Sequence, residues 1–217
     1  MKKIAIVCLA LALGCSEEEG AAEAAEATEA PAPEPEPAFE YTESPTAESI
    51  PNSPAMANAN GREIEIKTVV FQPRFNSWSM TLTTAELDRP TGILPAGAES
   101  INLTDLPQEL AAGTFTHSID ESGGGYFQIK KIDDPESTTS WNTRLAYVLE
   151  ITEWNGQPYD PEGRLFQEAG TASGKVVAVF RGREGGFANS WVAGTFEDAT
   201  VRYMGKPRWL EEEEDSE

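Results

Sequence analysis

The residue types that carry most enzyme chemistry are scarce in this 217-residue chain. His117 is the only histidine, and Cys8 and Cys15 are the only cysteines. A zinc site built from several histidine or cysteine ligands is therefore excluded. A Ser-His-Asp triad would need His117, but the chain has no Gly-x-Ser-x-Gly motif to present the serine. We interpret His117 as a structural strand histidine and predict no catalytic residue, no metal and no cofactor.

Carboxylates stand close together at two places in the sequence. Asp133, Asp134 and Glu136 form one group, and Asp160 and Glu162 form the other. Neither group has the spaced oxygen ligands of a calcium loop. The two carboxylates of a glycoside hydrolase meet in space and need not be near in sequence. A calcium-dependent adhesin and a glycan-directed hydrolase therefore stay open as alternatives.

Tryptophans are the remaining residues that could contact a ligand, because an exposed indole offers a large apolar face beside a polar N–H. Trp78 belongs to an alternating apolar face, so we predict that it lies in the core. Trp154 stands directly before Asn155 and Gly156, a pair typical of turns, which favours exposure. Trp154 is therefore the candidate ligand contact, with a sugar ring as the partner that an exposed indole could stack on.

Short runs rich in Val, Ile, Thr and aromatic residues recur through the second half of the chain. Residues 141–153 fit both periodicities, but their composition favours a strand over a helix. The composition of residues 175–181 predicts a further strand, and that of residues 191–203 predicts one bent strand or two. Residues 104–112 predict one or two helical turns. The pattern indicates an all-β fold, an antiparallel β-sandwich or partly open barrel of about 8–10 strands.

Composition divides the chain into tails and one domain. Lys and Arg number 16 against 37 Asp and Glu, for a net charge of −21. Residues 15–60 are rich in Ala, Pro and Glu, so we expect a disordered tether. Residues 61–210 can bury one core, and residues 211–217 are expected to be a disordered acidic tail. Because basic patches are missing, nucleic acid is excluded as a partner.

The N-terminus has the features of a targeting segment. Lys2-Lys3 precedes an uncharged apolar run, Ile4–Leu13, which is too short for a transmembrane helix of roughly 20 residues. Gly14-Cys15 ends that run. These residues resemble the signal peptide and lipobox of bacterial lipoproteins. The resemblance implies that residues 1–14 are removed and that acyl chains, palmitate among them, attach the protein to a membrane through Cys15.

Three further resemblances concern location and fold. Ser16 after the cysteine is similar to lipoproteins of the outer membrane, and Glu17–Glu19 resembles an acidic surface-export signal. The periplasmic face and the cell surface both stay open. Ala172–Phe180 and Val192–Phe196 are similar to a closing hairpin of uncharacterised β-sandwich lipoproteins. That group has no established activity, so this resemblance implies fold and location only.

Together these features predict a lipid-anchored envelope lipoprotein of the outer membrane. Its domain is expected to be a non-enzymatic binding or structural module, because no metal or nucleophile pattern is present and strand-connecting loops can carry contacts. The expected partners are the membrane, through the lipid on Cys15, and an envelope protein or a glycan.

Replacing Cys15 by Ser tests the lipid anchor. We expect Cys15→Ser to move the protein from the membrane fraction to the soluble fraction, since acyl chains could no longer be attached. Cys8→Ser is the matched control and should leave fractionation unchanged. A Cys15→Ser protein that stays with the membranes would contradict lipidation at this site.

Overall fold

The computed structural model describes residues 39–87, 94–121, 124–134, 137–182 and 189–210. It confirms the expected all-β class with ten strands. Residues 1–14, Cys15, the tether as far as residue 38 and the tail 211–217 lie outside the described residues. A short 3-10 helix precedes the strands, which are β1 (Met56–Ala59), β2 (Arg62–Glu65), β3 (Thr68–Arg74), β4 (Ser77–Thr83), β5 (Glu99–Leu106), β6 (Gly113–His117), β7 (Gly124–Lys130), β8 (Thr138–Trp154), β9 (Phe166–Gly182) and β10 (Ser190–Met204).

Seven of these strands pair in a closed ring, in the order β3, β4, β5, β7, β8, β9, β10 and back to β3. Six of the seven pairings are antiparallel, and the pairing of β10 with β3 is parallel. An odd number of strands cannot alternate in direction around a closed ring, so one parallel pair is unavoidable. The sheet is therefore mixed, with one parallel pairing among described strands that otherwise pair antiparallel, as expected. The β1–β2 hairpin extends β10, and β6 pairs with β8.

The inside of the ring holds the main hydrophobic core. Successive side chains of a strand point to opposite faces, and Leu145, Tyr147 and Leu149 of β8 point inward with Val176 and Phe180 of β9. All five are buried. This pattern confirms the strand prediction for residues 141–153, because β8 is paired along both of its edges.

The outer face of β8, β9 and β10 is buried as well. Val148, Val177 and Val179 point outward and form a second core with Phe39 and Ile50 of the N-terminal segment. Residues 176–180 of β9 are therefore buried on both faces of the sheet, which explains this continuous run of apolar residues.

The second core shows that the folded domain begins before residue 61, where the sequence analysis placed its start. The sequence placed residues 39–60 in the tether, but Phe39 is buried and packs its ring 5.3 Å from that of Trp191. Strand β1 is hydrogen-bonded to β10. The composition of this stretch is that of a linker, but pairing with β10 and burial in the two hydrophobic cores hold it in place. In the part of the chain that the structure describes, no helix is long and apolar enough to cross a membrane.

The helical turns predicted for residues 104–112 are wrong. Residues 104–106 instead end β5, where Leu106 pairs with Trp78 and is fully buried. Asp105 has a left-handed φ of 64° and accepts a hydrogen bond from the backbone N–H of Gly124 at 3.1 Å. Its carboxylate therefore caps a distant backbone group, and it is not available to cap a helix.

Truncation tests the corrected domain boundary. A chain that begins at Gly61 should unfold at a lower temperature than one that begins at Phe39. It loses β1 and the burial of Phe39 and Ile50, each worth about 1.5–3 kcal/mol when complete. Calorimetry of the two chains measures the difference, and equal unfolding temperatures would contradict the structural role of residues 39–60.

Candidate ligand-binding cleft

An aromatic cleft of about 310 Å³ lies at one end of the ring. Trp78 near the start of β4, Trp154 at the end of β8 and Tyr203 near the end of β10 come together there because these strand ends meet at the same edge. Tyr159 joins them from the loop after β8, and Trp209 from the helical turn at residues 208–210. We call these five residues the aromatic cleft.

Trp78 is the centre of the aromatic cleft. It is 4% exposed, which confirms its prediction as a core residue, and its Nε1 donates a 2.9 Å hydrogen bond to the carbonyl of Gln108. The ring centroids of Trp154, Tyr203 and Trp209 lie 5.6, 5.4 and 6.3 Å from that of Trp78. Such contacts between tilted rings add to the stability that burial provides and hold the rings in fixed positions.

Trp154, the candidate ligand contact, is half-buried in the wall of the cleft. Its ring meets Phe71 and Trp78 edge-on, with both centroids 5.6 Å away. Gly156 packs on the indole so closely that a Cβ there would stand 2.8 Å from the ring. Gly170, with φ of +131°, leaves room for the carbonyl of Asn155. The turn that was expected to expose Trp154 therefore folds back and orients it.

Three polar groups of the cleft have no protein partner among the described residues. They are the indole N–H groups of Trp154 and Trp209 and the hydroxyl of Tyr159, and all three side chains are half-buried. By contrast, the Tyr203 hydroxyl donates to the carbonyl of Gln157 at 3.2 Å, and burial raises its pKa. The cleft thus combines apolar ring faces with donors that a ligand could use.

The sequence predicted only part of this site. All five tryptophans were candidates as a class, but nothing in the sequence placed Trp209 beside Trp154. Tyr159 and Tyr203 were not recognised. The available signal was the position of Trp154 and Tyr159 on either side of a turn. Nothing in the local pattern of Tyr203 separates it from the other core residues of β10.

A second cleft, of about 290 Å³, surrounds His117 and includes the carboxylates of Glu43, Asp120 and Glu121. His117 stacks on Tyr147, with ring centroids 5.6 Å apart and planes within 8°, and its Nδ1 lies 3.1 Å from Glu121 Oε2. Its Nε2 is buried without a hydrogen-bond partner in the described part of the chain. This cleft gathers the acidic groups that the aromatic cleft lacks.

The carboxylate groups singled out for calcium are not brought together as a site. Within the described residues, no three His, Cys, Asp or Glu side chains converge as metal ligands. Asp160 accepts a 3.0 Å hydrogen bond from the backbone N–H of Glu162 and so stabilises its own turn. Asp133 and Asp134 are exposed, and Glu136 lies outside the described residues.

Comparisons with known proteins gave no match: no protein-family model, no curated protein sequence and no solved structure corresponds to this chain. Any function must therefore follow from the residues and their arrangement.

Because the phenol of Tyr147 is buried, we expect the folded protein to lose stability at alkaline pH. Burial, with the charges of Asp105 and Glu121, raises its pKa from 10.0 to about 12. In the unfolded chain the phenol ionises from about pH 10, so the folded state loses stability between pH 10 and pH 12, by roughly 2–3 kcal/mol. Urea unfolding at pH 9 and pH 11.5 should show this loss, and Tyr147→Phe should reduce it. An unchanged pH dependence in Tyr147→Phe would contradict the assignment.

Proposed function

We propose that this protein is a lipid-anchored lipoprotein of the outer membrane and that its β domain is a non-enzymatic binding module. The lipobox-like residues ending at Cys15 support the anchor, and the Ala-, Pro- and Glu-rich residues 16–38 support a tether. The aromatic cleft is the proposed binding site.

The observation that carries this proposal is the exposure of aromatic surface in a concave, prearranged site. Three half-buried rings, those of Trp154, Tyr159 and Trp209, surround a space whose volume is at the lower end of the range for ligand pockets, roughly 300–1,000 Å³. Rings fixed by their neighbours lose little freedom when a ligand binds, so more of the interaction energy remains as affinity. A site of this size suits one small molecule or one chemical group of a larger partner.

The position of the cleft suits an anchored module. Phe39, where the described chain follows the proposed tether, packs on Trp191 near the start of β10. Tyr203 of the cleft lies twelve residues further along the same strand. At about 3.3 Å per residue, twelve residues of strand span at most about 40 Å. Phe39 and the aromatic cleft therefore lie toward opposite ends of β10.

The competing function, a glycan-directed hydrolase, would use the second cleft. Glycoside hydrolysis needs two carboxylates facing each other across the substrate. Glu109 is the single carboxylate among the described residues that line the aromatic cleft, whereas Glu43, Asp120 and Glu121 line the second cleft. Hydrolysis of an envelope glycan that Glu121→Gln abolishes would favour this alternative.

Tryptophan fluorescence tests the binding module. Titrations with choline, N-acetylglucosamine and a proline-rich peptide present a cation, a sugar and an extended peptide to the cleft. We expect at least one probe to give a saturable change that Trp154→Ala weakens at least tenfold, because the indole forms part of the wall. Trp141→Ala is the matched control, since Trp141 is exposed and packs on Phe127 outside the cleft.

Two results would overturn the proposal. One is the absence of a saturable change with all three probes. The other is an equal loss of binding in Trp154→Ala and Trp141→Ala, which would place the interaction outside the aromatic cleft.

A further inference from the structure

The described lining of the aromatic cleft carries negative charge and no positive charge. Glu109 is the only charged residue among the described residues that line it. Lys206 and Arg208 belong to the neighbouring segment, but neither side chain lines the cleft. A site with many rings, one carboxylate and no lining base is complementary to a cation and repels an anion.

Each half-buried ring of the cleft is inclined to the buried ring on which it packs. The plane of Trp78 makes angles of 88°, 59° and 47° with those of Trp154, Tyr203 and Trp209, and Tyr159 is inclined by 70° to Tyr203. A sugar ring stacks best on a flat aromatic platform. A rounded cation can instead contact several inclined rings at once, and each ring face attracts positive charge through its quadrupole.

The charge of the chain around the cleft adds to this preference. Leu210 lines the cleft, and the sequence continues from it directly into Glu211, Glu212, Glu213, Glu214 and Asp215. This stretch of the sequence carries five consecutive carboxylates and no basic residue. Negative charge of this kind favours the approach of cations, and added salt screens it.

We propose that the aromatic cleft binds a quaternary ammonium group of the choline type. This inference rests on the proposed binding function and names its ligand class. The trimethylammonium head fills the space between the rings of Trp154, Tyr159 and Trp209, and the carboxylate of Glu109 faces its charge. The free indole N–H and phenol groups bind the oxygen atoms of the molecule that carries the head group.

Two probes of the same shape distinguish the contribution of the ligand's charge to affinity from that of its apolar surface. Choline and 3,3-dimethylbutan-1-ol differ only in the nitrogen that carries the charge. Calorimetric titration of the full chain should show choline binding roughly tenfold or more tightly than the alcohol, because only the cation gains the attraction to the ring faces. Glu109→Gln should weaken choline several-fold and leave the alcohol unchanged. Glu63→Gln, at an exposed position on β2, is the matched control.

These titrations distinguish a failure of the proposed ligand class from a failure of the proposed binding function. If the alcohol binds as tightly as choline, or if only N-acetylglucosamine saturates the cleft, the proposed ligand class is wrong. The proposed binding function of the cleft is then retained. If choline binds but Trp154→Ala and Tyr159→Ala both retain full affinity while folded by circular dichroism, the cleft is not the site and both proposals fail. Weaker choline binding in both ring variants, with Glu63→Gln unchanged, supports the cation site.

Discussion

The parallel pairing of β10 with β3 closes the ring, and the rest of the structure depends on it. Thr200 and Val201 pair with Val70 and Phe71, so the last strand is joined to the first strand of the ring. Without this contact β3 and the part of β10 beyond its pairing with β1 would be open edges, and the core inside the ring would be open to water. The closure joins residues about 130 apart, which makes folding depend on contacts distant in sequence.

Closure also creates the aromatic cleft. It brings Tyr203, near the end of β10, against Trp78 of β4, and Phe71 at the closing pair packs on Trp154. The site is therefore an extension of the core to the open end of the ring, where the same rings that stabilise the fold remain half-exposed. A cleft built in this way is rigid and is available before any ligand arrives.

The elements that local pattern could predict are the long central strands and the core position of Trp78. Residues 141–153 and 175–181 alternate or are rich in Val, and both are strands. What local pattern could not predict depends on distant surfaces. Residues 39–60 have the composition of a linker and are ordered by the outer face of β9 and β10, and Asp105 finds its partner at Gly124. Of the cleft, the sequence predicted Trp154 as the ligand contact and Trp78 as a core residue. It could not predict that Tyr203 and Trp209 complete the walls, because they come from segments remote from both.

The five indole N–H groups offer a direct test of the proposal that the aromatic cleft binds a cation of the choline type. Trp154 and Trp209 line the cleft, whereas Trp141 packs on Phe127 and Trp191 packs on Phe39. In a nitrogen–proton correlation spectrum recorded during a choline titration, we expect saturable shifts of the Trp154 and Trp209 signals, with those of Trp141 and Trp191 unchanged. Shifts confined to Trp141 or Trp191, or no saturable shift of any indole signal, would contradict it.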